Sequence, residues 1–476
     1  MFHVPTAVRR PGARRSLSLT VSRKVAVGLT AAALFGGPGS AAMAGQALHD
    51  ALGAPEELTI KGMVRSRIEG IDGQFRPDVA ESDFLWSIKT TLLVEYDGGP
   101  FRVGGEVWDA RAYGQKRNSS AGTNEVNALE LVQAYAGVDF RLGEKVSGAL
   151  TAGRFTMDIG SRRLVARQTF RNTTNAFTGA NLVLNGKGGD KLALLWAMPQ
   201  IRLPDDRDGI FDNGVKWDHE STALQFFGGS FTKGGVLGGT LEVYSYGLLE
   251  RDTADRLTRN RRLVTPGLRA WRKPKAGQID WDIEGAYQFG ETRSSTRAND
   301  VTDLDVSAYL LHAELGRTAS GGWQPRVSAV FDIASGDRAD ARSHNRFDTL
   351  YGARRFDFGP TAMYGPVHRY NMMSGGTRLE FKPGKSSDVM MMYRAFWLNS
   401  RTDNFSATGV RDAAGMTGRF AGHQLEARLR RWLVPDLVRI DTGVAYLAKG
   451  RFLTDAPNAP ATGDTRYGYV DLYLEF

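Results

Sequence analysis

The chain ends Tyr467-Gly468-Tyr469-Val470-Asp471-Leu472-Tyr473-Leu474-Glu475-Phe476. Side chains alternate across a strand, so Val470, Leu472, Leu474 and Phe476 share one face and Tyr469, Asp471, Tyr473 and Glu475 share the other. The first face suits lipid and the second a wet lumen. The segment therefore predicts one stave of a transmembrane β-barrel, with an edge strand of a soluble sheet as the alternative.

The opposite end agrees. Arg9, Arg10, Arg14, Arg15, Arg23 and Lys24 precede an apolar run from Val25 to Phe35, and small residues lead to Ala42-Met43-Ala44. This is the layout of a secretory signal and predicts residues 1–44 as a signal peptide cleaved after Ala44. The run falls short of the roughly 20 apolar residues that span a bilayer. Its removal takes six basic residues and no acidic one, so the formal charge of +9 falls to +3. Global basicity is then no sign of a nucleic-acid partner, and none is expected. With no cysteine, the chain has no disulfide framework, thiolate nucleophile or thiolate metal site. No later stretch holds 18 consecutive apolar residues, which excludes a helical membrane protein.

The same dyad recurs along the chain. In 58–69, LTIKGMVRSRIE, Leu58, Ile60, Gly62, Val64, Ser66 and Ile68 oppose Lys61, Arg65, Arg67 and Glu69. In 84–96, Phe84, Trp86, Ile88, Thr90, Leu92, Val94 and Tyr96 face outward and Ser87, Lys89, Thr91 and Glu95 inward, before a turn at Asp97-Gly98-Gly99-Pro100, after which a new strand begins at Phe101. The clearest case is 279–289, where Ile279, Trp281, Ile283, Gly285, Tyr287 and Phe289 alternate with Asp280, Asp282, Glu284, Ala286 and Gln288. Three carboxylates on one face need water or cations, since burying them unpaired is costly. Further strands are expected over 132–140, 146–155, 240–249, 306–315, 327–333, 377–381, 389–397, 425–429 and 438–448. Polar stretches 114–125, 204–218, 251–262, 292–303, 338–355 and 401–419 read as extracellular loops. The expectation is an all-β fold, a single antiparallel barrel of eighteen strands with sixteen as the alternative. One domain fills 45–476, with 45–56 as a periplasmic lead-in.

The densest cationic stretch lies in 153–172, GRFTMDIGSRRLVARQTFRN, and no acidic residue occurs between Asp158 and Asp190. Arg162, Arg163, Arg167 and Arg171 form a file of guanidinium donors on a strand end or an inward loop. Guanidinium forks bind carboxylates bidentately and stay charged at any working pH, and such a file in a constriction selects anions. The competing reading pairs these arginines with lumen carboxylates such as Asp280, Asp282 and Glu284, or with lipopolysaccharide phosphates.

The stretch 153–182, with Phe177-Thr178-Gly179 after the arginines, resembles a region of the alginate-export outer-membrane family. So do 347–356 (FDTLYGARRF), 393–397 (YRAFW) and 445–452 (AYLAKGRF), in the same order. The resemblance implies a monomeric barrel passing an acidic polysaccharide or its oligosaccharides through an arginine-rich constriction. It points to Arg154, Arg162, Arg163, Arg167, Arg354, Arg355 and Arg394; Arg171 is added from the cationic file, and Arg65, Arg67, Arg428 and Arg430 from strand phase. Asp280, Asp282 and Glu284 keep the lumen mixed, so an anion-preferring porin for small acids and an adhesive barrel with a plugged lumen stay open as alternatives. The final strand ending in Phe476 also resembles the segment that barrel-assembly machinery recognises, which makes that machinery, outer-membrane lipid and lipopolysaccharide the expected partners in the bacterial outer membrane. The seven histidines show no HExxH or other local metal spacing, and no nucleophile motif stands out. Neither an enzyme nor a cofactor is expected.

Overall fold

The computed structural model describes residues 53–476; the signal peptide at 1–44 and most of the 45–56 lead-in lie outside the described residues. The strands are β1 (Leu58–Asp72), β2 (Asp83–Asp97), β3 (Phe101–Tyr113), β4 (Asn127–Leu142), β5 (Val146–Phe155), β6 (Phe177–Asn185), β7 (Lys191–Pro199), β8 (Leu224–Val236), β9 (Gly239–Glu250), β10 (Arg262–Arg272), β11 (Ile279–Thr292), β12 (Leu304–Thr318), β13 (Arg326–Ala334), β14 (Ser343–His344), β15 (Met372–Gly384), β16 (Ser387–Trp397), β17 (Phe420–Val434), β18 (Val438–Lys449) and β19 (Thr465–Glu475). Leaving aside the two-residue β14, each strand pairs antiparallel with the next, and β19 returns to β1. The result is a closed 18-stranded barrel. Closure matters because lipid offers no partner for an unpaired backbone N–H or C=O.

The register at the seam sets Met63 opposite Glu475 and Val64 opposite Leu474. One step further, Phe476 donates its N–H to the Gly62 carbonyl at 2.9 Å. The ring of Phe476 lies over Gly62, where any Cβ would overlap it. The residue that ends the chain thus covers the seam between first and last staves.

Burial follows the predicted dyads. On β11, Asp280, Glu284 and Gln288 are buried inward, while Ile283 and Tyr287 stay about half exposed on the outer face. On β19, Val470 and Leu472 face out, and Tyr469, Asp471 and Tyr473 are buried. Aromatic pairs mark both rims: Trp86 and Tyr113 at one, Trp323 and Phe381 at the other, with ring centroids 5.6 and 5.9 Å apart. This is the girdle arrangement of a membrane barrel.

One rim carries turns of two to seven residues and the chain end; the other carries nine loops of 10 to 37 residues. Short turns and long loops distinguish the periplasmic from the extracellular rim. Four staves, β6, β7, β8 and β10, lie outside the strands expected from sequence, and β15 and β17 run well beyond the 377–381 and 425–429 expected for them. Loops 73–82 and 450–464 add to the expected set, and the stretch expected over 338–355 is part of a seventh loop reaching from 335 to 371.

That seventh loop and the third, 156–176, do not stay outside. They bury Ile159, Leu164, Val165, Phe170, Phe347, Phe358, Met363 and Tyr364 in the barrel interior. Ala166 donates to the Tyr351 carbonyl at 3.1 Å, Tyr351 to Leu164 at 2.9 Å and Ala353 to Arg162 at 2.9 Å. Two loops from different sides of the wall thus meet and hydrogen-bond across the lumen.

Candidate functional site

The crossing of the third and seventh loops separates two cavities. The outer one, about 1010 Å³, is bounded by Arg202, Glu220, Arg251, Arg256 and Tyr351 near the loop rim. The inner one, about 750 Å³, reaches down to Lys61, Asp436 and Glu475 at the turn rim. Gln168 lines both. Its amide donates to the Gly352 carbonyl at 2.7 Å, bridging the two loops. A Cβ on Gly352 would overlap the Arg163 carbonyl oxygen, so glycine is what lets the two main chains approach this closely.

The twelve arginines singled out from sequence divide into groups. Arg167, Arg355, Arg428 and Arg430 line the inner cavity, and Arg171 lines the outer one. The other seven are absent from the lining of both. Most are held by carboxylates. Arg67 meets Asp471 directly across the seam, with Nη2 to Oδ2 at 2.7 Å, and both are buried. Arg394, fully buried, pairs with Asp332 at 2.7 Å. Arg154 pairs with Glu130, Arg167 with Glu106 at 2.7 Å and Arg355 with Glu426 at 2.6 Å. Arg428 and Arg430 share Asp388. Arg162 is partly exposed, 4.0 Å from Asp158 and over the Phe356 ring.

Arg163 is the hub of the crossing. Its Nη1 reaches Glu284 at 2.7 Å and Asp282 at 3.2 Å, and its Nε reaches Asp357 at 3.0 Å. One guanidinium thereby ties the third loop to the wall at β11 and to a short helix, Arg355–Phe358, in the seventh loop. Asp357 also pairs with Arg369, and Asp282 with Arg269 at 2.8 Å. Asp282 and Glu284 are among the carboxylates that the alternative reading of the arginines named; Asp357 was not, and Asp280 pairs instead with Arg326.

A second set of cations ends on neutral groups. Arg65 donates to the Phe170 carbonyl and to Asn172 Oδ1, each at 2.7 Å. Lys89 points to the carbonyls of Thr169 and Arg171 at 3.5 and 3.3 Å. Arg171 donates to Asn124 and Asn175, Arg202 to Thr174 and Asn175, and Arg354 to the Gly365 and Val367 carbonyls. Arg76 holds the Met363 carbonyl at 2.9 Å and that of Tyr364. A carbonyl satisfies a donor without cancelling its charge, so positive potential persists around the third loop.

The loop cations register this. Desolvation, then the neighbouring Arg202 and Arg354, push the Arg171 guanidinium pKa well down. Arg354 falls to about 9, by burial and then by Arg76. A loop carboxyl that faces them, Glu125, is itself raised to about 7 by burial. Asp218 in the fourth loop is raised to about 6, by burial and then by the Glu130 charge. Phe170 is clasped between Arg67 at 3.9 Å and Arg355 at 4.8 Å from its ring centroid, a cation–π arrangement at the loop tip.

Lys89, Arg202, Arg76 and Arg439 were not among the sequence candidates. Lys89 could have been found from the phase of the Phe84 dyad, since it lies on the inward side. Arg76 and Arg202 sit in loops without periodicity and gave no such signal. His312 and Asp332 of the wall and Asp357 of the seventh loop come together at metal-ligand spacing, but Asp332 and Asp357 are already paired with arginines.

The model of the family described as alginate export matches residues 57–465. No curated protein sequence matches the chain. Among solved structures, OccAB1 of Acinetobacter baumannii aligns with a TM-score of 0.56 at 12% identity, over 88% of this chain and 97% of that one. OccK8 (OprE) of Pseudomonas aeruginosa gives 0.54 at 9% identity, over 88% and 98%. OccK2 (OpdF) of P. aeruginosa, solved in complex with glucuronate, gives 0.52 at 12% identity, over 88% and 96%. At such identities the structures show a shared fold alone, whereas the family match spans nearly the whole barrel. The chain therefore belongs to the alginate export family and is a channel of the bacterial outer membrane.

Proposed function

We propose that the channel passes an acidic polysaccharide or its oligosaccharides, alginate-like, past the crossing of the third and seventh loops. The observation that carries this reading is the set of cations around the third loop, Arg65, Lys89, Arg171, Arg202 and Arg354, whose hydrogen bonds end on carbonyls and amides. A polyanion gains from that field what the loop carboxylates do not cancel. The inner cavity adds Arg167, Arg355, Arg428 and Arg430 along its wall. The glucuronate bound by OccK2 supports an acidic sugar as the class of solute in a barrel of this shape. The family's description supports a uronate polymer. A monomer in the membrane, folded by the barrel-assembly machinery through its Phe476-terminated strand, completes the proposal.

Planar-bilayer recording tests it. The expected result is an open, anion-selective conductance that oligouronates block. Changing Arg171 and Arg202 together to Gln, or Lys89 to Met, should move the reversal potential toward cations. A closed barrel, a cation preference or an indifferent reversal potential would sink the reading. A second reading, a porin for small acids, is favoured by one observation: Gln168 and Gly352 join the third and seventh loops between the two cavities and narrow the passage there. Block by monouronates with none by longer oligomers would select it.

A further inference from the structure

A smaller cavity of about 210 Å³ opens beside the outer one, and Arg261 and Thr349 line both. Leu263 on β10, Val306 on β12 and Phe347 in the seventh loop give it an apolar face. Arg259, His344 and Arg346 give it a polar one. Two of its three guanidiniums are matched by carboxylates: Arg261 by Glu250 and Asp348 at 2.7 and 2.8 Å, and Arg346 by Asp403.

Arg259 is not. Its Nε donates to the Arg293 carbonyl at 2.8 Å and its Nη2 lies 3.2 Å from His344 Nε2. No carboxylate lies within ion-pair distance of it among the described residues, and its Nη1 has no partner there. His344 Nδ1 sits 3.3 Å from Asp337, which places the ring proton on Nδ1 and leaves Nε2 to accept from Arg259. Desolvation, then the nearby Arg346, push the Arg259 pKa down, the mark of a cation short of a counter-charge. The pair of donors on Arg259 is held in place by the Arg293 carbonyl and His344, so little side-chain freedom is lost on binding.

We propose that this cavity binds one small carboxylate the size of a single uronic acid. Arg259 takes the carboxylate, and the Leu263, Val306 and Phe347 face meets the C–H side of the ring. The volume lies below the roughly 300–1,000 Å³ of pockets for larger ligands, so one ring enters and a chain does not. The choice of an acidic sugar among small carboxylates rests on the reading of the channel given above. The site differs from the crossing in its residues: none of the twelve sequence candidates lines it.

The test is titration of the purified, detergent-solubilised barrel with glucuronate, glucose and inorganic phosphate, for the wild type and Arg259→Gln. Glucuronate should bind saturably, glucose should not, and the variant should weaken glucuronate at least about tenfold, as loss of a charge-assisted contact does. Equal affinity in the variant, equal binding of glucose, or phosphate binding as tightly as glucuronate would each overturn the assignment. The heat-modifiable gel shift of Arg259→Gln should match that of the wild type, which shows an intact barrel. A channel that lacks anion selectivity yet binds glucuronate through Arg259 would refute the translocation reading and leave this one standing.

Discussion

Replacing Arg163 with Met should unlock the lumen. The side chain keeps an unbranched apolar stem and loses the guanidinium that joins the third loop, β11 and the seventh loop. Asp282 would keep Arg269 and Asp357 would keep Arg369, but Glu284 would be left with the Tyr244 hydroxyl at 2.9 Å. Removing one partner of a buried ion pair costs about 3–5 kcal/mol, chiefly through the charge left behind. At about 1.4 kcal/mol per decade this amounts to two to three and a half decades in the ratio of closed to open crossings. Hydrogen exchange reads that ratio at the amides of Ala166, Tyr351 and Ala353, which donate across the crossing. Their exchange should accelerate by about two decades or more, while ladder amides of β10 and β11 keep their rates. Adding Glu284→Gln should recover part of the loss, because it removes the carboxylate left without a cation. Acceleration of less than about threefold at those three amides, with the ladder unchanged, would refute the role given to Arg163.

Three further outcomes follow from other features. Gly352→Val should push the seventh loop off the Arg163 carbonyl, raising single-channel conductance and lowering anion selectivity; an unchanged current would show that the crossing does not limit flow. Deleting Phe476 strips the ring from Gly62 and two seam hydrogen bonds, so the yield of heat-modifiable, folded barrel should fall severalfold on a gel-shift assay, and full yield would deny the ring its role. Glu125, raised to about 7 by burial, ionises as pH rises through neutrality. Its folded pKa lies above its unfolded value, so the stability it contributes is present at acidic pH and is lost from about 4.5 up through 7. Lowering pH from 8 to 5.5 should therefore raise the protection factors of second-loop amides and strengthen anion selectivity, and Glu125→Gln should flatten both profiles; a retained profile in that variant would assign the effect elsewhere.

Much of the barrel was legible because lipid and lumen impose opposite demands on alternate residues. On β1, β2, β11 and β19 that contrast is sharp, with Arg67 and Asp471 inward and Ile68 and Val470 outward. β8, reading LQFFGGSFTKGGV, blurs it with glycine: Gly228 lies so close to the Ser245 carbonyl that a Cβ would overlap it. β6 and β10 blur it with small residues and with Thr265 and Pro266. The arginine file of the third loop was visible as a charge asymmetry along the chain. Its partners were not, because Asp357, Glu284 and Gly352 lie more than a hundred residues away and only folding brings them to Arg163 and Gln168. Which arginines are cancelled and which are not is a property of that meeting, so no local pattern separates Arg394 from Arg354.

Beside those ion pairs, the wall and the first loop also grip both inward loops by their main chain. Arg65 and Lys89 hold the carbonyls of 169–171, Arg378 holds that of Phe356, and Arg76 those of Met363 and Tyr364. A chuck of this kind is indifferent to the tool it clamps: loop side chains that no wall group pairs can be exchanged while the clamp closes on the same carbonyl oxygens. The scaffold can thus acquire a new solute preference by substitutions at a few loop positions, with no change to any stave of the wall.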